Sequence, residues 1–337
     1  MNVILFCIVC FIKTAISNEF TLPDIPNEFK SIEKKFSNYE VILRPDKSEP
    51  EWWAGAPSVV QDSNGEFWLA CRMRTAEGQR GFRGYEIRIL KSKDGIHFEK
   101  VKSILREEVP LPGFERPSIL IDPNSNKFKL YACAPDREGV WSIIKFEDVD
   151  DPHNFQPNTA RKVISPLNKR FERDICPRGY KDPVIILSDG VYHCYTIGYI
   201  RENEWIFHFT SEDGEKWQPV GDINEPIMSL TGWHNFFVRP ASILPVGIGF
   251  LFIYEGSNIK WFDPVYNIAT GLAYTFDLHT LIDLTPNSPL LVSSTPVDMF
   301  ITFRYSQWLW VGNEIWVYAE VVCPDKTHEI RLYRIKR

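Results

Sequence analysis

Short apolar runs of strand length alternate with turn residues along most of the chain, and helical periodicity is nearly absent. The stretch 178–199 shows the pattern: apolar or aromatic runs at 184–187 and 192–195 flank Ser188-Asp189-Gly190. An Asp-Gly pair between two such runs is typical of a tight β-hairpin turn. The pattern therefore predicts a hairpin at this place and an all-β chain.

The same arrangement returns five times. In each copy a first apolar strand leads through a turn with Gly or Asn into a second strand, and these second strands read FWLACRMR, FKLYACAP, VYHCYTIGY, FLFIYEGS and EIWVYAEVV. The prolines in the first strands, at 57, 117, 183 and 240, are 60, 66 and 57 residues apart. A further turn with an aromatic or apolar residue follows each of the first four copies, at 92–98, 150–155, 211–217 and 276–281. These outer turns fit the outer strands of a blade, and we expect their aromatics to pack between neighbouring sheets. Radially repeated units of about four short strands are typical of β-propellers. We predict five blades; a β-sandwich is the alternative.

The predicted propeller domain spans residues 39–337, after an N-terminal extension at 18–38. An open ring would expose an edge strand. We therefore expect the extended segment from Tyr39 to Leu43 to pair into the last blade.

Residues 1–17 differ from the rest of the chain. Val3 to Ile12 is an unbroken apolar run, too short to span a bilayer, and Ala15-Ile16-Ser17 suits a cleavage site. We predict a signal peptide and a secreted or extracytoplasmic protein, with no stable membrane insertion after the leader is removed. A buried N-terminal strand in a cytoplasmic protein is the alternative.

Composition limits the possible partners. The 337 residues are 44% hydrophobic and 14% aromatic, with a net charge of −6 and no long basic run, which argues against nucleic acid. Two of the seven cysteines, Cys7 and Cys10, lie in the leader, and the other five are widely spaced. No zinc motif or disulfide framework is indicated, and we expect no metal and no organic cofactor.

Charged residues recur at corresponding places of the hairpins. If the first strand of each copy is innermost, its start and the end of the second strand both border a central funnel. The first-strand ring then holds Ala56, Arg116, Asp182, Arg239 and, approximately, Arg304. The second-strand ring holds Arg72, Cys133 or Ala132, Ile197 or Thr196, Glu255 and Glu320, and the flanking residues are Arg74, Glu115 and Lys181.

Two interpretations fit these charges. Buried charges are costly unless paired, so they could form a structural Arg–carboxylate lattice between blades. Alternatively, separated carboxylates suit glycosidic bond cleavage, which needs a proton donor and a base or nucleophile. Lys181 favours an ionised Asp182, whereas the apolar strand before Glu255 would raise its pKa toward that of an acid. Sequence does not choose between Glu255 and Glu320. Trp53 and Tyr266 are candidates for stacking on sugar faces, and packing between blades is the alternative for each.

The order of the repeats resembles the five-bladed β-propeller glycosidases, including glycoside hydrolase families 43 and 32 and the mannoside phosphorylase/mannosidase family 130. The similarity covers about residues 40–337. LACRMR with SKDGIHFE resembles the first blade of family 130, and IYEGS with YNIATGLAYTFDLHTL its fourth. Lys181-Asp182-Pro183 resembles the motif of families 32 and 43 whose aspartate stabilises the transition state or tunes the acid.

The chain departs from both patterns at three positions. Ala56 stands where families 43 and 32 carry a catalytic aspartate, Arg116 where family 130 has its acid, and Glu255 where family 130 has a phosphate-binding histidine. The resemblance implies a glycoside hydrolase in an uncharacterised branch, with Asp182, Glu255 and Glu320 as carboxylates and a carbohydrate as partner. The arginines and Lys181 would orient them or bind an acidic substrate group. A phosphate-dependent phosphorylase and a non-catalytic carbohydrate-binding propeller are the alternatives.

Overall fold

The computed structural model describes residues 34–79, 81–109, 111–166, 177–201, 203–260 and 267–336. The predicted leader and most of the predicted extension lie outside these ranges, as do Cys176 and Tyr266. The described part of the chain is built almost entirely of β-strands joined by turns, which confirms the predicted all-β class. Its only 3₁₀ helices are four single turns, at Arg106–Glu108, Pro152–Asn154, Pro157–Thr159 and Gly232–His234.

The strands follow one another in antiparallel groups along the described chain. A first short strand is β1 (Glu40–Leu43). The next eight strands are β2 (Trp53–Gln61), β3 (Phe67–Arg74), β4 (Gly84–Ser92), β5 (Glu99–Leu105), β6 (Glu115–Ile121), β7 (Phe128–Pro135), β8 (Trp141–Lys145) and β9 (Arg161–Ile164). The following eight are β10 (Tyr180–Ser188), β11 (Val191–Ile200), β12 (Asn203–Ser211), β13 (Gln218–Pro219), β14 (Phe237–Val246), β15 (Gly249–Ser257), β16 (Ala269–Thr275) and β17 (Ile282–Asp283). The chain ends in β18 (Phe303–Val311), β19 (Glu314–Val322) and β20 (His328–Lys336).

Antiparallel pairing runs in chain order within β2–β5, β6–β9, β10–β13 and β14–β17. In the last group β18, β19 and β20 pair in order, and β1 adds to β20 with Glu40 opposite Leu332. The prediction that the segment from Tyr39 to Leu43 pairs with the last strands of the chain is confirmed for Glu40–Leu43. Single parallel bridges, Trp53 to His328 and Glu204 to Phe237, connect neighbouring groups near the starts of β2 and β14.

The first strand of every group carries an irregularity near its start. The pairing register shifts between Gly55 and Ser58 in β2, and comparable shifts occur in β6, β10, β14 and β18. In three of these strands the irregularity contains a residue with positive φ: Ala56 at 51°, Asp182 at 56° and Tyr305 at 51°. A β-bulge re-aims the side chains that follow it and is common next to active sites. The bulges therefore set the direction of the side chains at this end of the sheets.

Two tyrosines on second strands form hydrogen bonds to neighbouring groups of strands. The Tyr318 hydroxyl donates to the carbonyl of Gly95 at 2.7 Å, and the Tyr131 hydroxyl to that of Gly214 at 2.8 Å. Both carbonyls lie in the predicted outer turns 92–98 and 211–217, whose aspartates accept backbone N–H groups. Phe98 and Trp217 of these turns pack edge-on against Tyr318 and Tyr131, as predicted for aromatics between sheets.

Within the described ranges, no helix has the length and apolar character needed to cross a bilayer.

Candidate active site

The ends of the second strands lie opposite the starts of the first strands. The residues of the second-strand ring that face them are Arg72, Cys133, Ile197, Glu255 and Glu320, paired with Gly55, Glu115, Lys181, Arg239 and Arg304 respectively. The choice between Cys133 and Ala132, and between Ile197 and Thr196, is thereby settled. By the same register, the position of Ala56, Arg116 and Asp182 corresponds to Tyr305 in β18 and not to Arg304, and to Pro240 in β14 and not to Arg239.

Glu320 is fully buried, and both oxygens of its carboxylate accept hydrogen bonds. Oε1 accepts from Arg304 Nη2 at 2.7 Å, Arg304 Nε at 3.0 Å and His328 Nδ1 at 2.6 Å. Oε2 accepts from Arg72 Nη2 at 2.8 Å and from the backbone N–H of Ala56 at 3.0 Å. Burial raises the pKa of Glu320, but the charges of Arg304 and Arg72 outweigh it and hold the pKa well below its usual value. Glu320, on β19, is an ionised link to β2, β3, β18 and β20.

Gly55 makes room for this link. A Cβ added at Gly55 would lie 1.8 Å from Glu320 Oε2, far inside van der Waals contact. Gly55 pairs directly with Arg72 in the neighbouring strand, so the missing side chain lets the Glu320 carboxylate approach both residues. Of the three predicted carboxylates, Glu320 therefore fits the structural-lattice interpretation.

Asp182 is also fully buried, but its surroundings differ. Its Oδ2 accepts from the Tyr305 hydroxyl at 2.9 Å and its Oδ1 from the Cys133 thiol at 3.4 Å. The Asp182 backbone N–H in turn donates to Cys133 Sγ at 3.1 Å. Burial raises the pKa of Asp182, and the charges of Lys181 and Arg239 more than reverse that effect, so the pKa lies below its usual value. The ionised state expected from Lys181 agrees with this direction.

Glu255 has the opposite electrostatic character. Oε1 accepts the backbone N–H of Tyr305, whereas Oε2 is buried and has no hydrogen-bond partner. Burial raises the pKa of Glu255 to about 7, although the charges of Arg116 and Arg239 pull it down. A carboxyl group with that pKa carries a proton for much of the time at neutral pH, and its free oxygen can donate that proton.

Tyr305 joins the two carboxylates. Its hydroxyl bonds to Asp182 and its N–H to Glu255, so one residue fixes an ionised and a protonatable carboxyl group on either side of itself. Sequence reasoning missed Tyr305 because Arg304 precedes it and carries the charge. The signal was available: in the run Phe303-Arg304-Tyr305-Ser306, Tyr305 aligns with Asp182 when the bulges are superposed.

The predicted arginines have different surroundings. The guanidinium carbons of Arg304, Arg116 and Arg72 lie 4.6, 5.2 and 6.0 Å from the centre of the Tyr305 ring. Arg116 donates through Nη1 to the carbonyl of Pro240 at 2.6 Å and so ties β6 to β14. Arg239 is paired instead with Glu204 on β12. Sequence reasoning did not single out Glu204.

The remaining predicted residues of the site within the described ranges are Lys181, Glu115, Trp53 and Arg74. Lys181 Nζ is 4.7 Å from the centre of the Trp141 ring, and Glu115 Oε2 is 3.4 Å from Arg72 Nε. Trp53 is fully buried: His328 stacks on it with ring centroids 4.0 Å apart, and the Arg74 guanidinium carbon lies 3.7 Å from its ring centre. In this structure Trp53 packs against protein groups, and its ring is not exposed for a sugar.

The arrangement has the elements of acid–base chemistry. Two carboxyl groups whose environments push their pKa values apart can serve as proton donor and as ionised base or nucleophile. Asp182 and Glu255 form such a pair, whereas Glu320 has no free oxygen. We refer to Asp182, Glu255 and Tyr305 as the Tyr305 cluster.

No protein-family model matches the chain, and no curated protein matches its sequence. Solved structures do match its fold. A glycoside hydrolase superposes with a TM-score of 0.68 at 11% identity, covering 93% of this chain and 96% of the other. The β-1,2-mannobiose phosphorylase from Listeria innocua, solved with β-1,2-mannobiose, gives 0.63 at 15% identity over 87% and 92%. A thermostable family-43 glycoside hydrolase gives 0.60 at 16% over 87% and 92%.

These matches define the class of fold. The chain has the all-β architecture of the glycosidase-like propeller proteins, and the resemblance seen in its sequence motifs is confirmed at that level. At these identities the likeness concerns the fold, and the chemistry must be argued from the residues of this chain.

Proposed function

We propose that this protein is a five-bladed β-propeller that hydrolyses glycosidic bonds at the Tyr305 cluster. The five blades are the four successive groups from β2 to β17 and the group of β18, β19, β20 and β1. The observation that supports the chemistry best is that Tyr305 bonds to both an ionised Asp182 and a protonatable Glu255. The fold shared with glycoside hydrolases supports the reaction class.

Glu255 acts as the general acid in this proposal. Its proton passes from Oε2 to the glycosidic oxygen as the bond from the anomeric carbon to that oxygen breaks. Asp182 stabilises the positive charge that develops on the sugar. It then either takes a proton from the attacking water or bonds to the anomeric carbon, and water later releases that bond. In both routes one water is consumed and one new hydroxyl appears on each product.

The phosphorylase alternative is supported less well. Phosphorolysis needs a site for a dianion, and Glu255 places a carboxyl group where the phosphorylases that the chain resembles carry a histidine. A non-catalytic sugar-binding propeller is the other alternative, since Ala56 replaces one family nucleophile. We treat both as outcomes of the test below.

The test is product release from a panel of oligosaccharides, with and without inorganic phosphate. Wild type is compared with Asp182→Asn and Glu255→Gln, and Glu314→Gln is the control because Glu314 lies on the same strand as Glu320 at its far end. We expect phosphate-independent cleavage in wild type and in the control, and its loss in the two site variants. Cleavage only with phosphate would support a phosphorylase. Saturable binding without any product would support the binding module.

A further inference from the structure

A buried cation beside the Tyr305 cluster has unused hydrogen-bonding capacity. Arg72 is fully buried, yet its Nη1 has no hydrogen-bond partner among the described residues. Its Nη2 donates to Glu320, and its Nε lies 3.4 Å from Glu115 without a well-directed bond. A buried guanidinium N–H without an acceptor costs free energy that a bound ligand could recover.

Of the two carboxylates near Arg72, Glu320 is already shared with other donors and Glu115 faces Nε. Glu320 serves Arg304, His328 and the Ala56 N–H as well as Arg72. It therefore cannot turn toward Nη1 without leaving those donors unpaired. Nη1 of Arg72 is thus free to donate to an acceptor from outside this lattice.

The unpaired nitrogen belongs to a side chain that borders the proposed reaction centre. The Arg72 guanidinium carbon lies 6.0 Å from the centre of the Tyr305 ring, and Tyr305 bonds to both Asp182 and Glu255. A group bound by Arg72 would therefore lie beside the Tyr305 cluster.

We propose that Arg72 binds the carboxylate of an acidic sugar, so that the substrate is a uronic-acid-containing glycoside. This inference rests on the proposed function and deepens it. A carboxylate is a strong acceptor for a charged guanidinium N–H, and the unpaired Nη1 supplies that donor. A monoanion also suits a place already flanked by Glu115 and Glu320, where a phosphate dianion would meet stronger repulsion.

Calorimetric titration of the full chain tests this directly. The probes are glucuronate, galacturonate, glucose and inorganic phosphate, each titrated into wild type, Arg72→Lys, Arg72→Gln and the control Arg161→Gln. Arg161 is half-exposed and pairs with Glu215, away from the Tyr305 cluster. We expect one uronate to bind wild type and the control at least about tenfold more tightly than glucose. Arg72→Gln should lose that preference, and Arg72→Lys should retain only part of it because the ammonium keeps the charge but not the position of Nη1.

The wild-type titrations test the inferred uronate binding even if Arg72→Gln does not fold. Equal or absent binding of the uronates and glucose would overturn the inference, as would binding of phosphate in preference to the uronates. A uronate preference that survives in folded Arg72→Gln would overturn it too. Turnover is measured separately: cleavage of neutral glycosides alone would defeat this inference and leave the proposed function standing. Uronate binding without cleavage of any glycoside would defeat the proposed function instead.

Discussion

The Tyr305 hydroxyl donates to Asp182 Oδ2 at 2.9 Å, although Tyr305 lies on β18 and Asp182 on β10, in different sheets. Because the donor stabilises the ionised carboxylate, Tyr305→Phe should raise the pKa of Asp182. We expect the rate to fall about 10- to 100-fold, and the acidic limb of the pH–rate profile to move to higher pH. The control is Tyr254→Phe, which also loses a buried bond, to Asp283. An unmoved acidic limb would argue against an ionised Asp182 in catalysis.

Glu255 should make the stability of the protein depend on pH. Its pKa in the folded state, about 7, lies above the usual value of 4.5, so the folded protein binds this proton more tightly than the unfolded chain. The resulting stabilisation is fully present below about pH 4.5 and is lost as pH rises through 7. Glu255→Gln cannot ionise and should show a smaller decline in unfolding free energy between pH 5 and 8. Parallel curves for the variant and wild type would contradict this account.

Glu320 should behave in the opposite way. Its folded-state pKa lies well below 4.5, so its stabilisation is present above pH 4.5 and disappears as pH falls through the lowered pKa. Glu320→Gln leaves Arg72 and Arg304 without their shared anion and should lower the unfolding free energy at pH 7 by about 3–5 kcal/mol. Denaturant titration beside the control Glu314→Gln, at the far end of the same strand, measures this. A change below about 1 kcal/mol would refute the lattice role of Glu320.

The tyrosine contacts between sheets should contribute separately to stability. Tyr131→Phe removes only the hydroxyl that bonds to the Gly214 carbonyl, and leaves that buried carbonyl without its donor. We expect a loss of about 1–2 kcal/mol of unfolding free energy with no change in kcat. Tyr39→Phe is the control because Tyr39 is exposed. Equal stability of the two variants would contradict the proposed contribution of this contact.

Features of the fold that depend on local sequence were predictable. The outer turn at 92–98 could be predicted because Ser92, Asp94 and Gly95 bond to one another and to adjacent backbone. The second-strand ring followed from counting back from each turn, since pairing in a hairpin is set by its turn. Both kinds of prediction involve residues only a few positions apart in the chain.

Differences within the site could not be predicted because they depend on residues distant in sequence. Glu255 and Glu320 occupy matching positions after similar apolar strands. They differ because His328 and Ala56 complete the bonding of Glu320, whereas Glu255 has one oxygen unpaired. The contact of Cys133 with Asp182 likewise joins two sheets, and the sequence around Cys133 does not predict it. Tyr305 was missed because the bulge in β18 shifts the count along the strand by one residue, which put the charged Arg304 in its place.

The most direct test of the central claim is the leaving-group dependence of Glu255→Gln. A general acid is needed for a poor leaving group, such as a sugar hydroxyl, and not for an activated aryl alcohol that departs without a proton. With the acidic or neutral glycosides that wild type cleaves, we predict that Glu255→Gln loses about 10²- to 10⁴-fold in rate on the sugar leaving group. It should lose much less on the nitrophenyl glycoside of the same sugar. Equal losses on both substrates in a folded variant would show that Glu255 is not the acid, and would contradict the assignment of the Tyr305 cluster.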